Sequence, residues 1–133
     1  MKTKITFAVI SLSILLLGLK PFSGQSEEKG MVKVTLLYQN GEGKTFDMEY
    51  YEKKHMPLVA ELLGSAMKYY KIDKGIGGRT PNEPVPFLGI GYLYFNKLSD
   101  YQEAFGPHAQ QIIGDIPNFT NIQPILQISE VVE

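Results

Sequence analysis

The stretch "FLGIGYLYF", Phe87 to Phe95, constrains the fold more than any other part of this 133-residue chain. Side chains alternate across a strand, so one face carries Phe87, Gly89, Gly91, Leu93 and Phe95 and the other Leu88, Ile90, Tyr92 and Tyr94. Both faces are apolar, and a strand of this kind belongs inside a layered or closed structure. Whatever else the chain forms must cover that strand twice.

The remaining elements supply one of the two covers. "MVKVTLLY", from Met31, alternates as a strand with Val32, Val34, Leu36 and Tyr38 on one face. After "QNGEGK", Asp47 is a good N-cap, and Phe46 before it can staple onto Tyr51. The helix that follows aligns Tyr51, His55, Leu58, Val59, Leu62 and Leu63 on one inward stripe and stops at Gly64. "AMKYYKIDKGI" reads as a more exposed strand. The loop "DKGIGGRTPNEPVP" lacks the G-K-[ST] ending of a phosphate cradle and is read as a surface or lid loop. Ser99 and Gln102 form a capping box for a second helix with Tyr101, Phe105, His108 and Ile112 inward, and "IQPILQISEVV" is a last strand. The order β-α-β-β-α-β is that of the ferredoxin-like arrangement, an α+β fold with a four-stranded antiparallel sheet and both helices on one face. A second copy of the chain is the economical cover for the other face.

The amino terminus is of another kind. A basic "MKTK", the 15-residue apolar run Ile5 to Leu19 and the polar tail "KPFSGQSEEKG" have the layout of a secretory signal peptide. The run is shorter than the ~20 residues a membrane span requires, so residues 1–24 are read as an export signal cut near residues 24 to 26, in preference to an uncleaved anchor. Taking Lys2, Lys4 and Lys20 from the 13 basic residues leaves 10 against 14 acidic ones, a formal charge of −4, which does not suit a nucleic-acid partner. With no cysteine, disulfides, Cys-ligated zinc, iron–sulfur clusters and thiol catalysis are all excluded.

From Met31 to Val132 the chain resembles the EthD family, small proteins associated with ethyl tert-butyl ether degradation and placed in the dimeric α+β-barrel superfamily. The likeness is carried by "YQNGEG" at 38–43, "YYEKKHMPLV" at 50–59, "GIGYLYF" at 89–95 and "FGPHAQQIIGDIPNFTNIQPILQISEVV" at 105–132. It implies a homodimer of ferredoxin-like protomers whose sheets meet as a barrel, a domain over 31–133, and a cleft between sheet and helices. The family pattern falls on Tyr50, Tyr51, His55 and Pro57, and a second cluster on Phe105, Pro107, His108, Asn118, Thr120 and Asn121. The family name also carries an oxidoreductase expectation, which is fold-level analogy.

Pro57 cannot donate to the carbonyl of Lys53, so a kink beside His55 is expected, and Gly106–Pro107 repeats the device before His108. Gly89 and Gly91 share a face, and two absent side chains would leave a trough beneath the helices. One reading makes this an apolar small-molecule pocket with His55, His108 and Tyr51 as catalytic groups and Tyr50, Phe105, Gly89, Gly91 and Asn121 touching the ligand. The other makes both histidines satisfied core residues. Two histidines with no third ligand nearby do not indicate zinc, and nothing supports haem, so no metal or cofactor is expected. Three functions remain open: proton-transfer or cofactor-independent monooxygenase chemistry on a small carbonyl or aromatic compound, non-catalytic binding of a hydrophobic ligand, or a structural dimer with a filled core.

Overall fold

The structure is a computed structural model that describes residues 28–133; the leader expected over residues 1–24 lies outside the described residues. Four strands, β1 Val32–Gln39, β2 Met67–Lys74, β3 Phe87–Phe95 and β4 Ile125–Glu130, form one antiparallel sheet in the order β2-β3-β1-β4. With the two helices on one side, this is the expected ferredoxin-like α+β arrangement. The register places Val34 opposite Leu93 and Ile128, and Leu36 opposite Gly91 and Leu126, so these side chains share the helix-covered face.

The first helix starts where its cap predicts. Asp47 Oδ1 accepts the Tyr50 backbone N–H at 3.0 Å, and the ring of Phe46 lies 5.1 Å from that of Tyr51. Beyond Met48–Tyr50 the helix widens into a π turn, Tyr51–His55, closed by the Met56 N–H on the Tyr51 carbonyl, and returns to α geometry over Met56–Leu63. Pro57, beside which a kink is expected, lies at the start of the α segment, and the wide turn in front of it takes up the hydrogen bond that proline cannot make. The turn also leaves Tyr51 and His55 stacked, with centroids 5.5 Å apart and planes 16° from parallel.

The second helix begins at Leu98 with Lys97 in the cap position, so the capping box expected from Ser99 and Gln102 does not form. It runs through Leu98–Phe105, a 3₁₀ turn at Gly106–His108 that takes up Pro107, and Ala109–Asp115. A further 3₁₀ turn, Ile116–Asn118, leads to a clasp that joins the two halves of the chain. Phe119 accepts the Asp47 N–H at 2.7 Å, the Thr120 hydroxyl donates to Thr45 O at 2.6 Å, and Asn121 bonds both Thr45 N–H and Gly43 O.

The hollow expected above the two glycines is filled. A Cβ on Gly91 would lie 2.0 Å from the Tyr51 hydroxyl, and one on Gly89 would lie 2.8 Å from the ring of Phe46. The glycines are small because aromatic rings from the first helix and its approach press onto β3. Tyr38, Tyr51, Phe46 and Phe119 interlock there, with Tyr38 and Tyr51 almost wholly buried. Tight tilted ring contacts of this kind add to area burial, itself about 1.5–3 kcal/mol per large side chain.

On the other face, Lys33 lies over the Tyr92 ring, the Tyr92 hydroxyl donates to Asp73 at 2.7 Å, and Tyr69 stacks on Tyr94 at 4.5 Å beside the Lys71–Glu28 ion pair. Long side chains of the chain itself thus shield part of the face for which a second copy is the expected cover, and Tyr94 is only 4% exposed. Among the described residues no helix is long and apolar enough to cross a membrane.

Gly91→Ala is expected to cost about 1–3 kcal/mol by overpacking, because the buried Tyr51 ring cannot retreat. Adding Tyr51→Phe removes the atom nearest the new methyl group and should recover part of the loss in urea unfolding. No recovery would mean that the Tyr51 hydroxyl does not set the clash.

Candidate functional site

The open space under the helices lies beside the glycines, toward β4. A cavity of about 310 Å³ is bounded by Val34 and Leu36 of β1, Leu93 of β3, Met56 and Val59 of the first helix, and Ile112 of the second. Helix cover is incomplete over β4: Leu126 and Ile128 are 47% and 43% exposed on this face, and Leu126, Gln123 and Pro124 border the cavity there. The cavity therefore has its mouth at the β4 side. Its walls are almost entirely hydrocarbon, with polar groups contributed by His55, Tyr38 and Tyr101, and by Gln123 at the mouth.

His55 is 4% exposed, and its partner is a residue the sequence had not singled out. Nδ1 lies 2.8 Å from Oδ2 of Asp115, the last residue of the second helix. The other carboxylate oxygen, Oδ1, accepts from the Tyr50 hydroxyl at 2.8 Å and from Asn118 Nδ2 at 2.9 Å. A carboxylate accepts, so Nδ1 carries the proton and Nε2 keeps its lone pair. Phe119 packs 4.5 Å from the imidazole and Tyr51 stacks on it, which confines the ring.

These contacts set the charges. Burial lowers the His55 pKa and outweighs Asp115, which raises it, so the neutral imidazole is favoured near pH 7. Burial raises the Asp115 carboxyl, but hydrogen bonds from Asn118, His55 and Tyr50 together outweigh it and hold the group below the usual carboxylate range. The hydrogen bond to Asp115, then burial, raises the Tyr50 phenol. The arrangement is a neutral imidazole locked in one tautomer at the wall of an apolar chamber. Such a group can accept a proton.

Of the residues singled out from the sequence, His55 and Phe105 line the cavity. Tyr50 holds Asp115 from behind the imidazole. Tyr51 stacks on His55, and its hydroxyl rests against Gly91. Gly89 and Gly91 lie under rings, Asn121 stands in the loop clasp, and His108 is half-buried on the 3₁₀ turn outside the cavity lining. The two imidazoles are therefore not brought together. Asp115 carried one legible signal: an acidic residue at a helix C-terminus opposes the helix dipole, and so calls for another partner. Among the described residues no cluster of three or more His, Cys, Asp or Glu could hold a metal ion.

Both shifts give stability the same pH dependence. His55 and Asp115 have folded pKa values below their unfolded ones, so the unfolded chain takes up protons first. The His55 contribution is complete above about pH 6.5 and that of Asp115 above about pH 4. Both are lost as pH falls further. Unfolding midpoints in urea should fall on acidification below about pH 6.5; Asp115→Asn should deepen the part of the decline that begins there, because Asp115 no longer holds the His55 pKa up, and remove the part below about pH 4. An unchanged profile in the variant would contradict the assignment.

Comparison with known proteins agrees with this architecture. The family model described as the EthD domain matches residues 39–123. An EthD-like protein from Ralstonia eutropha of known structure is 41% identical, covering 79% of this chain and 95% of that one, with a TM-score of 0.75. An ethyl tert-butyl ether degradation family protein from Bacillus halodurans, at 20% identity, covers 75% and 97% with a TM-score of 0.53. A dimeric protein of unknown function and ferredoxin-like fold from Bacteroides fragilis, at 15% identity, covers 77% and 97% with a TM-score of 0.51, and these last two likenesses bear on the fold alone. A search of curated proteins finds no match. On the matched domain and the 41% identical relative, the chain belongs to the EthD family.

Proposed function

We propose that this protein is an exported, homodimeric enzyme that moves a proton on a small carbonyl-bearing or aromatic compound held in the cavity. The observation that carries this reading is His55 at the wall of an apolar chamber with Nδ1 committed to Asp115. Nε2 is then the nitrogen left to a guest. It takes a proton from the carbon next to a carbonyl, the C–H electron pair moves into the enolate, and return of the proton to another carbon completes an isomerisation. Low polarity around the site strengthens the interaction between the base and the developing charge. The oxidoreductase expectation attached to the family shares this first step. A carbanion formed at an activated methylene and attacked by dioxygen yields a carbonyl group and water, and needs no cofactor.

Export rests on the basic start and the apolar run of residues 1–24. The dimer rests on the sheet face away from the helices, where Leu37, Leu88, Ile90 and Ile125 accompany the Tyr and Lys side chains described above. The Bacteroides fragilis protein of similar fold is described as dimeric. Sedimentation at micromolar concentration should give about twice the mass of the mature chain; a folded monomer would contradict the dimer.

For the chemistry, exchange of the α-protons of 2-tetralone in D₂O, followed by NMR, isolates the proposed step. Wild-type protein should accelerate exchange over buffer. His55→Asn, whose amide can still donate to Asp115, should reduce the rate by about 100-fold or more while ligand still binds. Ligand binding without exchange in the wild type would favour a non-catalytic binding protein, and exchange indifferent to His55 would refute the base.

A further inference from the structure

The base accounts for one polar group at the cavity wall and leaves Tyr38 unexplained. Tyr38 is 1% exposed, stands on β1 in the middle of the sheet, and lines the cavity. Behind it is an anomaly: among the described residues, the Tyr51 hydroxyl is the buried side-chain polar atom without a hydrogen-bond partner. An unmade hydrogen bond of this kind costs about 1–3 kcal/mol, and a native core keeps such a group for a reason. The rings of Tyr38 and Tyr51 meet edge to face at 5.4 Å, and Tyr51 in turn stacks on His55 at 5.5 Å. Tyr38 and His55 thus flank one ring and border one chamber.

Resting on the proton-transfer reading, we infer that Tyr38 is the anchor for the substrate's oxygen, so that the cavity selects compounds bearing a carbonyl or enol oxygen over hydrocarbons of the same shape. Tyr38 donates its O–H to that oxygen. The Tyr38 oxygen then becomes a stronger acceptor, and the neighbouring Tyr51 hydroxyl, which makes no well-formed bond in the free protein, closes on it to supply the second bond, since hydrogen bonds in a chain strengthen one another. Burial raises the Tyr38 pKa to about 12, with Tyr51 opposing, so the group is a proton-bearing donor at all working pH values. During enolisation the carbonyl oxygen gains the electron pair released from the C–H bond, and a preset donor at that oxygen stabilises it most when its charge is greatest. Tyr101, the other phenol at the wall, has no such support: it packs against Phe95 and Phe105, and burial alone shifts it.

The test uses 2-naphthol, a stable planar mimic of an enol, and naphthalene, its hydrocarbon counterpart, titrated by NMR into wild type, Tyr38→Phe and Tyr51→Phe, with thermal unfolding to verify each fold. Tyr38→Phe should weaken 2-naphthol by about tenfold, the worth of one well-made hydrogen bond, and leave naphthalene within about twofold. Tyr51→Phe should weaken 2-naphthol by a smaller factor and leave naphthalene unchanged. Equal affinity of wild type and Tyr38→Phe for 2-naphthol, parallel losses for both compounds, or no binding of 2-naphthol by the wild type would overturn the inference. If 2-tetralone exchange still depends on His55 in those cases, the anchor alone fails; if the Tyr38 effect holds while exchange ignores His55, the base alone fails.

Discussion

One carboxylate ties the site together. Asp115 ends the second helix and receives Tyr50 and His55 from the first and Asn118 from the turn that follows. Three donors on one side chain make its partial burial tolerable, because an unpaired charge there would be costly. They also determine which imidazole nitrogen bears the proton. The loop clasp at residues 119–121 has a supporting part: by holding this segment to residues 43–47 it brings Asp115 and Phe119 against the start of the first helix. The chemistry ascribed to His55 follows from this crossing of two helices, and no single motif contains it.

The core and the cavity divide the helix-covered face between them. Over Gly89 and Gly91 the aromatic rings approach so closely that a methyl group would collide, and the space is filled. Toward β4 the helices fall short, and space remains. The π turn links the two regions, since its extra residue sets Tyr51 onto β3 and His55 at the cavity wall in the same stacked pair. Wide turns of this type recur at functional sites, and here Pro57 gives a covalent reason for one.

Much of this architecture was legible in the residues. The limits of β3, the Asp47 cap, the stop at Gly64 and the order of elements along the chain follow from alternation, capping and the need to cover a doubly apolar strand. The site was less so. Paired glycines indicate close approach, but a pattern of absent side chains cannot say whether a ring or a guest fills the gap. Proline signals a lost hydrogen bond without saying how the helix accommodates it. Asp115 lies 60 positions from His55, and a contact at that separation leaves no local periodicity. His108 had the same inward spacing as His55, yet the 3₁₀ turn at Gly106–His108 changes the helical phase and carries it off the cavity wall.

The central claim is that Asp115 presents His55 as a neutral imidazole with its proton on Nδ1. A long-range ¹H–¹⁵N correlation spectrum of the histidine rings at pH 7 reads this directly. The account predicts a protonated Nδ1 and an unprotonated Nε2 for His55, with a titration midpoint below that of an ordinary histidine. A proton on Nε2 alone, or on both nitrogens at that pH, would contradict it.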